Sequence, residues 1–326
     1  MSRRRPRWWH RFALAITVLT CTVAAVIFLR PVINTSSSGS RASQPVTESE
    51  PGAHANVDHR PGFQLNLNGK QLLRVAFHVP PRAGLLFNLD SGQVLWSRNP
   101  TRQLSIASLT KMMTALLVAR NSDPHDRVKI TRQALSYTGS GIGVLPKHRR
   151  VQLEALLNGL LLVSGNDAAI ALAQHVAGSV PAFVHLMNGQ ARRMHLTCTH
   201  FVSPHGVEDA NRSCASDLAA LAHADLGKRR IARIARRKSA NPKVPIRSGH
   251  IWLYNNNPLI RLDYPGITGL KTGLTSKAGH CIVATAKQHG LRLGVVLLHS
   301  PNLYLQGRRL LNAGFRYETR RGAQGG

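Results

Sequence analysis

Residues 105–120 read SIASLTKMMTALLVAR, and what this stretch must be decides the rest. From Met112 on, the apolar residues recur at helical spacing. Ser108 falls at the start of that helix, and Lys111 lies three residues later on the same face. Upstream, residues 83–99 read AGLLFNLDSGQVLWSRN, where two apolar runs flank Asp90-Ser91-Gly92 and predict a β-hairpin. Downstream, residues 163–178 read VSGNDAAIALAQHVAG and set Ser164, Gly165 and Asn166 between two helical stretches. Residues 269–286, GLKTGLTSKAGHCIVATA, pass from Lys271-Thr272-Gly273 into an alternating, β-branched run that reads as a strand.

Each polar cluster has a plain reading and a chemical one. A serine at a helix start is commonly a cap beside a solvated lysine. The chemical reading makes Ser108 a nucleophile, its backbone N–H favoured by the helix dipole, and Lys111 the base that takes its proton. That base must be neutral, which needs burial or a second cation nearby. Ser164-Gly165-Asn166 is an ordinary helix break, or a site where Ser164 relays a proton and Asn166 holds the lysine and a substrate amide. Lys271-Thr272-Gly273 is a turn, or a strand edge where a substrate adds as a further strand. There Gly273 admits its backbone, Thr272 binds a carboxylate and Lys271 supplies positive charge. Separately these patterns are common. Together and in this order they form the S-x-x-K, S-x-N and K-T-G set of penicillin-binding proteins and class A β-lactamases. The spacing suits that set: 56 residues separate Ser108 from Ser164, and 107 separate Ser164 from Lys271.

Composition bounds the surroundings. The 326 residues, 43% of them hydrophobic, suffice for one large domain or two small ones. Lysine and arginine number 43 against 14 acidic residues, a formal net charge of +29 that attracts polyanions. No zinc-finger spacing or RNA-binding aromatic signature accompanies that charge, so no nucleic-acid partner is expected. Residues 1–11, MSRRRPRWWHR, are basic, and Phe12–Leu29 is an uncharged apolar run of eighteen residues. The pattern predicts export, with residues 1–30 as a membrane anchor or a signal peptide; the lack of an A-x-A site favours the anchor. Residues 31–66 then read as a flexible linker, and the expected site is the outer face of the cytoplasmic membrane or the periplasm. Cys21 lies in the apolar run. Cys198 and Cys214 bracket a fifteen-residue loop and are read equally as a disulfide or as two buried thiols. No C-x-x-C or H-E-x-x-H occurs, so neither metal nor cofactor is expected.

Beyond the three motifs, the chain resembles the low-molecular-mass D-alanyl-D-alanine carboxypeptidases, the serine peptidases of the penicillin-binding protein 5 type. The resemblance runs from about Ala83 to Phe315. It includes IASLTKMMTA at Ile106, SGNDAAIALAQH at Ser164, FVSPHGV at Phe201, ASDLAAL at Ala215, NNNPLI at Asn255 and RRLLNAGFR at Arg308. It implies an α/β fold of the penicillin-binding transpeptidase/β-lactamase type: an antiparallel sheet flanked by helices, plus a mostly helical lobe over about Lys111 to Arg237. The catalytic domain would span residues 67–318, with a short tail at 319–326 and no C-terminal β-rich domain. The implied catalytic residues are Ser108, Lys111 and Ser164. Asn166, Lys271, Thr272, Gly273 and Leu274 would bind substrate, Leu274 sharing an oxyanion hole with the Ser108 N–H. Peptidoglycan stem peptides are the implied substrates, and β-lactams the implied inhibitors.

Three positions depart from the family pattern. The H-x-S-T expected after P-H-G reads Asn211-Arg212-Ser213-Cys214. The aspartate often found in V-D-G-x-K-T-G is Thr268. The arginine often seen seven residues before the closing L-L, which would help bind the terminal carboxylate, is Leu303, leaving Arg308 as its nearest substitute. A β-lactamase would need a glutamate with asparagine four residues on, and after Asn166 only Glu208 and Glu318 occur, neither so placed. An endopeptidase acting on cross-links would use the same constellation. A wall-binding relic without activity is the non-enzymatic alternative.

Overall fold

The computed structural model describes residues 63–324. The basic flank, the apolar run with Cys21 and the linker as far as residue 62 lie outside the described residues.

The expected hairpin is β1 (Ala83–Asn88) and β2 (Val94–Arg98), paired antiparallel. The chain then enters the helical lobe through β3 (Leu104–Ser105), a 3-10 turn at Ala107–Thr110 and α1 (Lys111–Asn121). The lobe continues with β4 (Arg127–Lys129), α2 (Arg132–Leu135), β5 (Arg150–Gln152), α3 (Leu153–Leu162), α4 (Asn166–Ala177) and α5 (Val180–Arg193). After β6 (Arg212–Ser213) come α6 (Ala215–Leu226), α7 (Arg229–Ala235), β7 (Ser239–Ala240), β8 (Leu253–Tyr254) and α8 (Pro258–Arg261). The short strands pair as β3 with β6, β4 with β5 and β7 with β8. Three long strands and a helix close the fold: β9 (Ile267–Thr275), β10 (Gly279–Gln288), β11 (Leu291–Leu298) and α9 (Leu303–Gln324).

The main sheet has the order β2-β1-β11-β10-β9, and every neighbouring pair is antiparallel. Its central strands are apolar on both faces because both faces are covered. Along β1, Leu85 and Phe87 point into the larger core shared with the lobe helices, while Leu86 points into a smaller core under α9. Leu310, Leu311 and Phe315 of α9 complete that smaller core. The larger core is built around α1, whose residues Lys111 to Val118 are all buried. Each fully buried leucine or methionine there contributes about 1.5–3 kcal/mol relative to exposure. Two of those eight side chains, Lys111 and Thr114, are polar and therefore need partners. Thr114 donates to the Pro204 carbonyl at 2.7 Å.

Two boundaries differ from the sequence reading. Residues 63–66, read as the end of the linker, join the fold: Phe63 stacks on His223 with ring centroids 4.2 Å apart, and Leu65 packs against the larger core. At the other end α9 continues through Gln324 where a tail was expected from residue 319. No proline interrupts it there, and the helix runs through Gly322.

Cys198 and Cys214 form a disulfide, with Cα atoms 5.6 Å apart. This settles the alternative that spacing left open. The bridge ties the segment after α5 to the residue preceding α6, and the loop between them carries the P-H-G turn. Closing a loop of about fifteen residues stabilises a fold by roughly 3 kcal/mol in the chain-entropy account. Urea unfolding with and without a thiol reductant should therefore show a loss of about 3 kcal/mol on reduction. An unchanged midpoint would mean that the loop's hydrogen bonds hold it alone.

Candidate active site

The centre of the site is a lysine with nowhere to go. Lys111, at the first turn of α1, is fully buried, and three oxygens lie within hydrogen-bond distance of its Nζ. These are Ser108 Oγ at 2.9 Å, Asn166 Oδ1 at 2.6 Å and the His205 carbonyl at 2.7 Å. Burial above all, and then the positive charge of Lys271, holds its pKa well below the ordinary lysine range; Asp167 and Glu208 pull weakly the other way. Lys271 on β9 is buried as well, donates to the Thr272 carbonyl at 2.8 Å, and is pushed down to about 7 by desolvation. Two amines in one dry region favour the neutral form of one of them.

Each acceptor is fixed by its own support. Asn166 is the first residue of α4; its amide Nδ2 donates to the Thr138 carbonyl and its backbone N–H to Ser140 O at 2.8 Å. The adjacent Asp167 carboxylate accepts from the backbone N–H groups of Ile142 (2.9 Å), Gly143 (3.0 Å) and Ala168 (2.7 Å). Residues 138–143 are thus moulded onto the start of α4. The His205 carbonyl is aimed by the P-H-G turn. Gly206 has φ +83°, and a Cβ there would strike the Ala107 carbonyl oxygen, so only glycine fits the contact between this turn and Ser108's neighbour. The His205 ring is itself held below the usual histidine range, chiefly by burial. Its Nδ1 accepts from the Val207 N–H at 3.3 Å.

Ser108 sits in the 3-10 turn that leads into α1, after Ala107 at φ +47°. That left-handed residue is strained for a side chain larger than glycine. Opposite lies β9. A Cβ on Gly273 would come 2.9 Å from the Ser108 nitrogen and 3.0 Å from the Ile106 oxygen. The strand backbone and the Ser108 amide are therefore as close as two main chains allow. Ser164 also has a positive φ, 63°, and its buried hydroxyl has no partner.

An open cleft of about 440 Å³ runs past these groups. Ser108, Ser164, Thr272, Gly273 and Leu274 line it, while Lys111, Asn166 and Lys271 are buried side chains linked to it from behind. All eight residues singled out in the sequence thus belong to one constellation. The cleft also contains residues that the sequence reading missed: Ser140, Asn256, His280, Asn302 and Tyr304. His280 lies directly across from Leu274 in the β9–β10 ladder. The run Asn255-Asn256-Asn257 divides its tasks. Asn255 Nδ2 binds the Ala235 and Arg237 carbonyls, Asn257 Oδ1 caps α8 at Leu259 N–H, and Asn256 is left facing the cleft.

The three departures acquire physical meaning here. Asn211 is buried; its Oδ1 accepts from the Val202 and Ser203 N–H groups and its Nδ2 donates to Ser203 Oγ and Glu208 O, bracing the loop that aims His205. Thr268 bonds across the sheet to the Thr285 carbonyl (2.9 Å) and hydroxyl (2.8 Å). Leu303 lines the cleft. Arg308 is not in the cleft lining; its guanidinium lies over the ring of Tyr304, which is, 5.2 Å from the centroid.

Comparison with known proteins agrees with this geometry. The D-alanyl-D-alanine carboxypeptidase family matches residues 75–302. The chain is similar to D-alanyl-D-alanine carboxypeptidase DacF of Bacillus subtilis, 33% identical over 237 residues, which is 69% of this chain and 58% of that one. It is 32% identical to the D-alanyl-D-alanine endopeptidase of Pseudomonas aeruginosa over 249 residues, 71% of this chain and 78% of the other. A D-alanyl-D-alanine carboxypeptidase structure from Mycobacterium tuberculosis superimposes with a TM-score of 0.70 at 30% identity, covering 75% of this chain and 94% of that one. The chain spans about three fifths of the length of the carboxypeptidases it matches in sequence.

Proposed function

The chain belongs to the D-alanyl-D-alanine carboxypeptidase family, and we propose that it removes the terminal D-Ala from peptidoglycan stem pentapeptides through an acyl-enzyme on Ser108. The observation that carries this reading is the hydrogen-bond set of Lys111. A neutral amine has two N–H donors and one lone pair. Asn166 Oδ1 and the His205 carbonyl take the two donors, so the lone pair falls on Ser108 Oγ, 2.9 Å away. That is the geometry of a base about to accept the hydroxyl proton.

The remaining steps follow from the neighbours. Ser108 Oγ attacks the carbonyl of the penultimate D-Ala, and the negative oxygen that develops is received by the backbone N–H groups of Ser108 and Leu274. The tight packing of Gly273 on the Ser108 nitrogen supports that pairing of donors. Because β9 is an edge strand, the substrate backbone adds to it as a further strand. Asn166 and the β9 backbone hold the substrate amide. The leaving D-Ala nitrogen takes its proton through Ser164, whose hydroxyl is otherwise unpartnered, with Lys271 behind it. Water then attacks the ester and frees Ser108. Thr272, the charge of Lys271 and His280 receive the C-terminal carboxylate. A β-lactam would enter as a mimic of the dipeptide end and stay as the acyl-enzyme. The N-terminal apolar run is the proposed route to the outer face of the membrane, where this substrate lies.

Cleavage of cross-links is the second reading, favoured by the similarity to the Pseudomonas aeruginosa endopeptidase at nearly the same identity. Both readings need Ser108, so the products distinguish them. Incubated with a D-Ala-D-Ala pentapeptide and with a cross-linked dimer, the wild type should release one alanine from the pentapeptide by mass, and Ser108→Ala none. Cleavage of the dimer alone would replace the carboxypeptidase with the endopeptidase. Activity equal in Ser108→Ala would remove the acyl-enzyme altogether.

His280→Ala should raise KM for the pentapeptide about tenfold while lowering kcat little, since a hold on the carboxylate that is equally strong in ground and transition states is uniform binding. An unchanged KM would take His280 out of the carboxylate site. The pH dependence follows from the two amines. Burial favours neutral Lys111, the active base, so kcat/KM rises as that group loses its proton. It falls as Lys271, pushed down to about 7, loses the charge that attracts the carboxylate. The limbs belong to the coupled pair rather than to either lysine alone. The expected profile is a bell whose falling limb lies far below the ordinary lysine pKa of about 10.4. A rate still rising at pH 9 would contradict the assignment of Lys271.

A further inference from the structure

A pair of aromatic rings stands at the surface beside the cleft, and the reaction just described does not use it. Trp252 and Tyr254 are each 64% exposed, and no other aromatic ring appears among the exposed large hydrophobic residues described. Their planes agree within 17° and their centroids lie 6.4 Å apart. Trp96, by contrast, is buried. Aromatic side chains bury about 150–250 Å² each when covered, so two exposed side by side form an apolar patch suited to a ligand.

Position identifies the occupant. The pair lies on the hairpin of β7 and β8, which the Lys243–His250 bridge extends. Two residues beyond Tyr254 is Asn256, in the wall of the cleft. The intervening Asn255 is buried and bonded to the Ala235 and Arg237 carbonyls, so the link from rings to cleft is firm. Two extended residues span about 7 Å. A stem peptide of four residues, measured from the reacting carbonyl back to the sugar that bears it, spans at most about 14 Å. Tyr254 thus stands about 7 Å along the chain from the cleft wall at Asn256, less than the span of such a stem peptide.

The chemistry fits as well. Indole and phenol rings offer apolar faces with a polar N–H or O–H at the rim. Sugar rings present C–H faces suited to such surfaces, and hydroxyl and acetamido groups suited to donors around them. Lys243, Arg247 and His250 offer such donors on the same hairpin, and residues 238–256 contain no carboxylate. We propose that Trp252 and Tyr254 form a platform for the glycan strand from which the stem peptide hangs. The proposal rests on the stem-peptide reading above and adds a polymer-binding subsite to it.

The test uses the full chain and the double variant Trp252→Ala/Tyr254→Ala, both exposed positions. D-Ala release is followed from a free pentapeptide and from glycan-linked pentapeptide, and peptide-free glycan strands are titrated against both proteins by calorimetry. The expected result is a KM about tenfold higher for the variant on the glycan-linked substrate, corresponding to a loss of uniform binding. Kinetics on the free pentapeptide should be unchanged, which also reports an intact fold, and peptide-free glycan should bind the wild type alone. Equal loss on both substrates, or glycan binding that survives the double substitution, overturns the platform. So does wild-type binding of oligothymidylate or anionic lipid vesicles in place of glycan. If the wild type turns over neither substrate, the carboxypeptidase reading fails, while the glycan titration still decides on the platform.

Discussion

A primary amine held out of water at the end of the first core helix constrains the whole lobe. An ammonium moved from water into a protein interior is penalised by several kcal/mol even after relaxation. Lys111 is tolerable because three separate segments bring oxygens to it: the turn before its own helix, the start of α4 and the P-H-G loop. Shifting any one of them leaves a buried donor unpaired, at about 1–3 kcal/mol or more for a charged group. The neighbouring polar side chains serve the same end. Asp167 pins residues 138–143, Asn211 braces the P-H-G loop, and Thr114 ties α1 to Pro204.

The residues that were legible in the sequence are those whose chemistry demands a side chain. On the proposed mechanism Ser108, Lys111, Ser164, Asn166, Lys271 and Thr272 stand in motifs because their chemistry tolerates few substitutes, Gly273 because a Cβ would strike the Ser108 turn, and Leu274 only by following it. What stayed hidden is what topology supplies. Any residue could provide the His205 and Thr138 carbonyls that hold Lys111 and Asn166, so no residue type marks them. His280 enters the cleft only because β10 pairs with β9 in a register that sets it across from Leu274. The fold class followed the same division. Hairpin, helices and strand were visible by periodicity, but the strand order and the inclusion of Phe63 depend on contacts between distant segments. The place of Arg308 was equally hidden, since the contact of its guanidinium with the ring of Tyr304 depends on how α9 is turned.

The charge imbalance has a structural side. Of the 14 acidic residues, several have internal tasks. Asp167 accepts loop N–H groups, Asp217 accepts from Cys198 N–H and Thr199, and Glu154 bridges Arg230 and Arg233. Asp225 is buried without a hydrogen-bond partner and its pKa is raised well above the carboxylate range by desolvation, which favours the neutral acid. The ten others stand against 43 lysines and arginines. The excess of cations is thus displayed outward, and it includes the hairpin that carries Trp252 and Tyr254.

An open sheet edge is a liability in most proteins, because unpaired N–H and C=O groups recruit other strands. β9 is such an edge, yet much of it is covered: the 3-10 turn before α1, α7 and α8 all pack against it. What stays open lies near Thr272 and Leu274, beside Ser108, where the cleft begins. On the proposed mechanism, strand addition is confined to this stretch, beside Ser108. Gly273 fits this arrangement in two ways, since the absence of a Cβ lets the turn pack closely and leaves room for an incoming backbone. On the proposed mechanism, the edge that would be suppressed elsewhere is kept because it orients an extended peptide along Ser108, which accounts for a strand, not a loop, carrying the third motif.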